Sequence, residues 1–375
     1  MDKITETIKK ITPPDYKLME RAQARLDSLT KPQGSLGRLE ELAKLIVGIT
    51  GKENPEFKNK VIFTLAADHG VAEEKVSAYP KEVTAQMVYN FLSGGAGINV
   101  LAKHIGARVI VVDMGVAEKV QGSPVKLSIT EAGSRPILDE QREGFKVQGF
   151  KDRKINYGTK NMAKGPAMTK TEAIRSIEVG IEVFEEELKK GIDIIGTGDM
   201  GIGNTTASSA ITACFTKRAV EDVTGKGTGI NDKGLENKTK IIKKALKVNH
   251  PNLSDPIDVL SKVGGFEIGG LAGIILAAAS RRIPLVIDGF ISGAAALIAY
   301  HIEPKTREYM IASHCSVEKG HRIILQHIGL LPLLDLNLRL GEGTGAALGI
   351  NIAEAAVKIL TQMATFKSAG VSQKD

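Results

Sequence analysis

The chain has 375 residues, enough for about two or three ordinary domains and a sizeable buried core. With 42% apolar and 25% charged residues it is neither a disordered chain nor, by composition, a membrane protein. The net charge of +7 comes from scattered basic residues with few aromatics among them, which argues against nucleic acid as a partner. Two cysteines, Cys214 and Cys315, sit in no CxxC pair and cannot build a disulfide framework, so a reducing cytoplasm is the expected compartment.

The opening MDKITETIKK alternates charge with apolar residues, so no secretory signal is expected. The first fifty or so residues read as helical by their apolar spacing. Beyond them, short Val- and Ile-rich runs closed by Gly or Asp read as strands: Val61 to Ala67, Arg108 to Asp113, Ile192 to Gly196 and Leu285 to Gly289. Helical stretches fall at roughly Lys81 to Phe91, Thr171 to Lys189, Thr205 to Lys217, Lys233 to Val248 and Phe266 to Ala279. Val116 to Lys170, with scattered Gly, Pro and charge, reads as a long excursion or flap. The apolar stretch Ile268 to Tyr300 is broken by Arg281, Arg282 and Asp288 into pieces too short for a bilayer, so no membrane partner is expected. The tail from about Thr306 reads as helical apart from a Gly-rich interruption.

The alternation predicts an α/β fold, a Rossmann-like doubly wound parallel sheet, with a smaller helical domain formed from both termini. The expected division is 31–309 for the Rossmann-like catalytic domain and 1–30 plus 310–375 for the helical one. In such a sheet the ligand crevice lies at the carboxyl ends of the strands, here ADHG, VDMG, GTGDMGIGN and IDGF.

The segment Ile192 to Phe215 reads as a strand, a glycine turn and a helix opening at Asn204, a place where backbone amides and the helix dipole hold an anion. Gly196, Gly198 and Gly201 formally satisfy GxGxxG, but the acids about twenty positions on, Glu221 and Asp222, lie in a turn-like stretch, which favours a mononucleotide or sugar phosphate over a dinucleotide. Purely structural glycine packing is the bland alternative. A second glycine loop, LRLGEGTGAAL, holds one charge, Glu342, whose apolar flanks would raise its pKa toward that of a general base; an exposed turn glutamate is the other reading. TGKGTG lacks the Ser or Thr that a P-loop needs after Lys226, and GxSxG is absent. His314, Cys315 and His321 fit no zinc spacing, so no metal is expected, and His69 reads as a hydrogen-bonded loop histidine at the crevice edge.

Seven segments together carry a family resemblance: LTKPQGSLGRLEELA, AADHGVAEEKVSAYPKEVTAQM, GTKNMAKGPAMT, GTGDMGIGNTT, IDGFISGAAAL, SHCSVEKGH and LGEGTGAAL. In this order the chain resembles the nicotinate mononucleotide:5,6-dimethylbenzimidazole phosphoribosyltransferases over nearly its whole length. The resemblance implies transfer of phosphoribosyl from nicotinate mononucleotide to an aromatic base, with nicotinate leaving, inversion at the anomeric carbon, and neither metal nor cofactor. Glu342 matches the family's base. Asp199 stands where many members carry Glu, on a shorter arm, and Lys238 resembles the active-site lysine. Ser316, Gly201, Gly203, Asn204 and Thr205 are the phosphate candidates, the last four also by the helix-terminus argument. Asp288 is expected either to orient a ligand or to cap the following helix. Ser77, Tyr79, Gln86, Met87, Met200 and Leu340 are the choice for the base pocket, apolar and sulfur-bearing walls suiting a flat acceptor. The acceptor itself stays open among benzimidazoles, purines and phenols. A homodimer with the site near its interface is also implied. Two other readings stay open: an oxidoreductase resting on GxGxxG, and a nucleotide-sensing module without turnover.

Overall fold

The computed structural model describes residues 3–120 and 149–372; the central part of the expected excursion, 121–148, lies outside the described residues. Six parallel strands form one sheet in the order β3-β2-β1-β4-β5-β6, with β1 Lys60–Ala67, β2 Ala107–Gly115, β3 Gly149–Asp152, β4 Ile194–Met200, β5 Leu285–Ile287 and β6 Met310–Ala312. The order reverses between β1 and β4, which is the switch point of a doubly wound sheet and places a crevice beyond their carboxyl ends.

Alternation along β1 feeds both layers. Val61, Phe63 and Leu65 enter one core with Ile177, Ala207, Ile274 and Ala294, whose helices cover that face. Ile62 and Ala66 enter the other with Ile46, Ala102 and Ile350. Apolar nearly throughout, the helix Phe266–Ser280 is buried on every side, as a helix with no polar face must be. The helical stretches of the sequence reading reappear within a residue or two, among them Val83–Leu92, Lys170–Leu188, Asn204–Thr216 and Asp232–Asn249.

The terminal segments join. Leu29 pairs with Thr365 in an isolated antiparallel bridge, and Thr30 donates its N–H to Ala364 at 3.0 Å, tying the helices Tyr16–Asp27 and Thr344–Gln362 together. The tail departs from an all-helical reading in one respect. Its residues Met310–Ala312 pair with β5 as the outermost strand, a run of three residues with no local alternation to reveal it. Among the described residues no helix is long and apolar enough to cross a membrane.

Candidate active site

The crevice beyond β4 is a cleft lined by Asp199, Met200, Gly201, Asn204, Thr205, Ser316 and Leu340, together with Thr228, His314, Glu318 and Arg339. Two helices start beside it. Asn204–Thr216 begins after Gly203, which offers no side-chain cap; the Asn204 and Thr206 N–H groups turn back to Gly201 O at 3.2 Å and Gly203 O at 3.0 Å, and no side chain occupies the positive end of the helix. Thr344–Gln362 begins after Gly343, and there Asp288 fills the same position, accepting N–H groups from Gly343 at 3.1 Å and Ala346 at 3.0 Å. Asp288 therefore caps the helix that carries the Glu342 loop, not the one that follows it in sequence.

The glycine turn expected at 196–201 is different in the structure. Gly196 and Gly198 lie inside β4, so the GxGxxG match has no dinucleotide turn. Gly198 is bare because a Cβ there would collide with the carbonyl of Glu342. The strand and the 341–343 turn thus approach at backbone contact, and Thr64 on β1 donates its hydroxyl to the same carbonyl at 2.9 Å.

Glu342 sits in the left-handed region at φ 63°, between Gly341 at 79° and Gly343 at 100°. A non-glycine residue pays conformational energy for that geometry, and here the Asp288 cap and the Thr64 bond hold it. The side chain is 4% exposed, which removes the exposed-turn reading. Its Oε2 accepts the N–H of Ile98 at 3.1 Å, at the start of the helix Gly97–Ile105. Burial raises the carboxyl above its ordinary range, against the opposing hydrogen bonds of Ile98 and Gly97.

Around it the charge is one-sided. Asp199 is buried, with Oδ2 accepting from Asn204 Nδ2 at 3.0 Å and Oδ1 without a hydrogen-bond partner among the described residues. Burial, then the negative charges of Asp288, Glu267 and Glu342, hold its pKa well above the carboxylate range. Burial likewise pushes Asp288 up to about 7 despite its backbone donors. Beneath the 199–204 loop His69 meets Glu267, Nε2 to Oε1, at 2.7 Å. Lys238, wholly buried, donates to Thr205 Oγ1 at 2.8 Å and Gly225 O at 3.3 Å. Desolvation lowers its ammonium to about 8, with Glu318 opposing.

The structure thus gathers Asp199, Met200, Gly201, Asn204, Thr205, Ser316 and Leu340 on the cleft wall, sets Lys238 behind Thr205, and stands Asp288 and Glu342 behind β4. Ser316 Oγ donates to Leu338 O at 3.1 Å. Ser77 reaches the cleft through Thr228, at 3.1 Å between hydroxyls. Thr84, on the helix Val83–Leu92 that carries Gln86 and Met87, accepts the Ile202 N–H at 3.1 Å. Met87 is half-buried against the second core, whereas Tyr79 and Leu340 are 56% and 60% exposed and Gln86 is exposed too. Ser77, Tyr79, Gln86 and Met87 do not line the described cleft itself.

Sequence reasoning passed over Thr228, Glu318 and Arg339, and took His314 as structural. Their signal lay in TGKGTG, treated only as a failed P-loop, in SHCSVEKGH, from which only Ser316 was chosen, and in LRLGEG, from which Leu340 and Glu342 were chosen. His314, pushed to about 4 by burial, is neutral at the cleft, so Arg339 is the cation on its described wall.

The sequence profile described as phosphoribosyltransferase matches residues 11–371. The chain belongs to this phosphoribosyltransferase family. It is 54% identical over 373 residues to the nicotinate-nucleotide–dimethylbenzimidazole phosphoribosyltransferase of Desulforudis audaxviator, covering 100% of this chain and 99% of that protein. The proteins of the same name from Geobacter metallireducens and Geobacter sulfurreducens are 55% and 53% identical, covering 100% of this chain and 99% and 100% of theirs. A crystal structure of the enzyme so named from Thermus thermophilus superimposes with a TM-score of 0.83 at 42% identity, covering 96% of this chain and all of that one. As a phosphoribosyltransferase, the chain has reason to leave one helix start open to an anion while the other is occupied by Asp288.

Proposed function

We propose that the protein transfers the 5-phosphoribosyl group of nicotinate mononucleotide to 5,6-dimethylbenzimidazole or a related aromatic base. The products are α-ribazole 5′-phosphate and nicotinate, and the step serves assembly of the cobalamin nucleotide loop. The observation that carries the reading is an acidic crevice with an uncapped helix start on its wall and a buried glutamate behind β4, in a chain more than half identical to full-length enzymes of that name.

In this reading the turn of Gly201, Gly203, Asn204 and Thr205, at the positive end of its helix, receives the phosphate, supported by Ser316 on the facing wall and by Lys238 behind Thr205. The acceptor lies by Met200 and Leu340, toward the segment of Ser77 and Tyr79 and the helix of Gln86 and Met87. Glu342 removes the azole N–H proton while the other ring nitrogen attacks C1′. The bond from C1′ to the pyridinium breaks, and its electron pair stays on the pyridine nitrogen of nicotinate. A pyridinium leaving group is already activated, so orientation and one proton transfer supply most of the catalysis. Positive charge spreading over the ribosyl ring meets the carboxyls of Asp199 and Glu342. An arriving cation draws Asp199 toward its charged form, which the neighbouring carboxyls otherwise suppress. Asp288 serves this chemistry by holding the Glu342 turn. No cofactor enters the reading. The domain division at 31–309, a homodimer and a cytoplasmic location are parts of the same proposal.

The test is turnover by mass spectrometry with nicotinate mononucleotide and, separately, 5,6-dimethylbenzimidazole, adenine and phenol. Nicotinate release with a ribosylated product, reduced about 10² to 10⁴-fold in Glu342→Gln, is expected. Binding of the nucleotide without ribosylation of any acceptor would overturn the reading in favour of a sensor.

A further inference from the structure

The loop 224–229 sets Gly227 and Thr228 on the cleft wall and is fastened at both sides. On the side of the uncapped helix, Gly227 donates its N–H to Glu318 Oε1 at 2.9 Å, and Lys238 Nζ reaches Gly225 O at 3.3 Å while also holding Thr205. Both glycines are required by closeness: a Cβ on Gly225 would strike the Glu318 carboxylate, and one on Gly227 would lie 2.8 Å from Thr205 Oγ1 and 3.1 Å from Lys238 Nζ. On the opposite side Thr228 Oγ1 accepts the N–H of Ala78 at 2.9 Å and stands 3.1 Å from Ser77 Oγ. Ser77 Oγ in turn accepts the N–H of Tyr79 at 3.2 Å, closing the 77–79 turn. One hydroxyl therefore organises a segment that is otherwise exposed and carries no regular secondary structure.

We infer that Thr228 is a positioning residue that fixes the 77–79 segment as one wall of the acceptor pocket, anchored through its loop to the Glu318–Lys238–Thr205 group on the donor side. The inference rests on the proposed reaction for its donor and acceptor sides. Its physical content is that an acceptor meets a preformed wall and does not have to order one on binding. Two neutral hydrogen bonds meet at this hydroxyl, and their loss weakens acceptor binding by roughly tenfold. The donor side keeps its own anchors.

The experiment compares Thr228→Val, which keeps the shape and removes the hydroxyl, with Thr228→Ser, which keeps it. Thr228 is exposed, so the fold does not depend on it. Nicotinate mononucleotide and 5,6-dimethylbenzimidazole are each varied at saturating concentrations of the other. Thr228→Val is expected to raise the acceptor KM roughly tenfold with the donor KM and Tm unchanged, and Thr228→Ser to stay within about twofold of the parent. An unchanged acceptor KM in Thr228→Val, an equal rise in both KM values with a lower Tm, or failure of serine to restore the parent value overturns it. If the parent protein releases no nicotinate, the reaction reading falls instead. Calorimetric titration with dimethylbenzimidazole then decides the role of Thr228 by itself, equal affinity in parent and valine variant overturning it and weaker affinity in the variant supporting it.

Discussion

His69 and Glu267, 198 positions apart in the chain, form a buried pair at 2.7 Å directly under the 199–204 loop. Burial works against the imidazolium, but the Glu267 carboxylate outweighs it, aided by Asp68, and raises the His69 pKa. Among the described residues Glu267 Oε2 has no hydrogen-bond partner, so the carboxylate leans on the histidine at Oε1.

Removing one member should therefore be worse than removing both. His69→Leu or Glu267→Gln alone is expected to cost about 3–5 kcal/mol in urea unfolding, and the double variant less than the sum. The raised pKa fixes the sign with pH. The pair's contribution is full below the ordinary histidine value and is lost as pH rises through the folded-state pKa of His69. Additive losses, or a pH dependence of the opposite sign, would sink this account.

The Asp288 cap makes a second prediction. It accepts two backbone N–H groups, from Gly343 and Ala346, whereas asparagine presents one acceptor and turns an amide toward the other donor. Asp288→Asn is expected to lower stability by about 1–3 kcal/mol. It should also reduce kcat more than donor affinity, because the turn that aims Glu342 loosens while the Asn204 helix start is untouched. Thermal unfolding and steady-state kinetics on the one variant check both parts.

Acid should weaken the fold at its buried histidines. His301 and His327 meet Nε2 to Nε2 at 3.1 Å, and burial, then the partner's charge, pushes His301 down to about 4. His314 is held at about 4, chiefly by burial, and His321 at about 3, where its Nδ1 accepts the Ser316 N–H at 3.0 Å. A depressed folded-state pKa gives stability that is present above the unfolded value and lost below it. The raised carboxyls of Asp199 and Asp288 act in the opposite direction, so the histidine contribution is read as a difference: between about pH 6.5 and pH 4, His301→Phe is expected to lose less Tm than the parent protein. Equal changes of Tm with pH in parent and variant would count against it.

The sequence made the helices and inner strands legible because each carries its own periodicity. Lys170–Leu188 shows an apolar stripe and a Thr169–Glu172 capping box, and β1 shows Val and Ile closed by Asp68. The end of β4 was not legible. Glycines 196 and 198 look like a turn, and only the tertiary approach of the Glu342 carbonyl explains why a strand there lacks side chains. Glu342 was found from its glycine setting, but the partners that hold it, Asp288 and Thr64, lie 55 and 278 positions away for the bonds they make. Thr228 gave no local sign, since its role depends on Ser77 and Ala78, 151 and 150 positions away.

The pairing of Leu29 with Thr365 also sets an order of events during synthesis. The first helices leave the ribosome long before the segment that covers their apolar faces, so they must wait for residues 344–365, a long-range closure that slows folding and keeps that surface open to chaperones. Glu342 arrives in the same late segment. A nascent chain stopped before it would hold the Asn204 helix start yet lack the carboxylate, so that any chemistry depending on Glu342 switches on only after the 341–343 turn has been made.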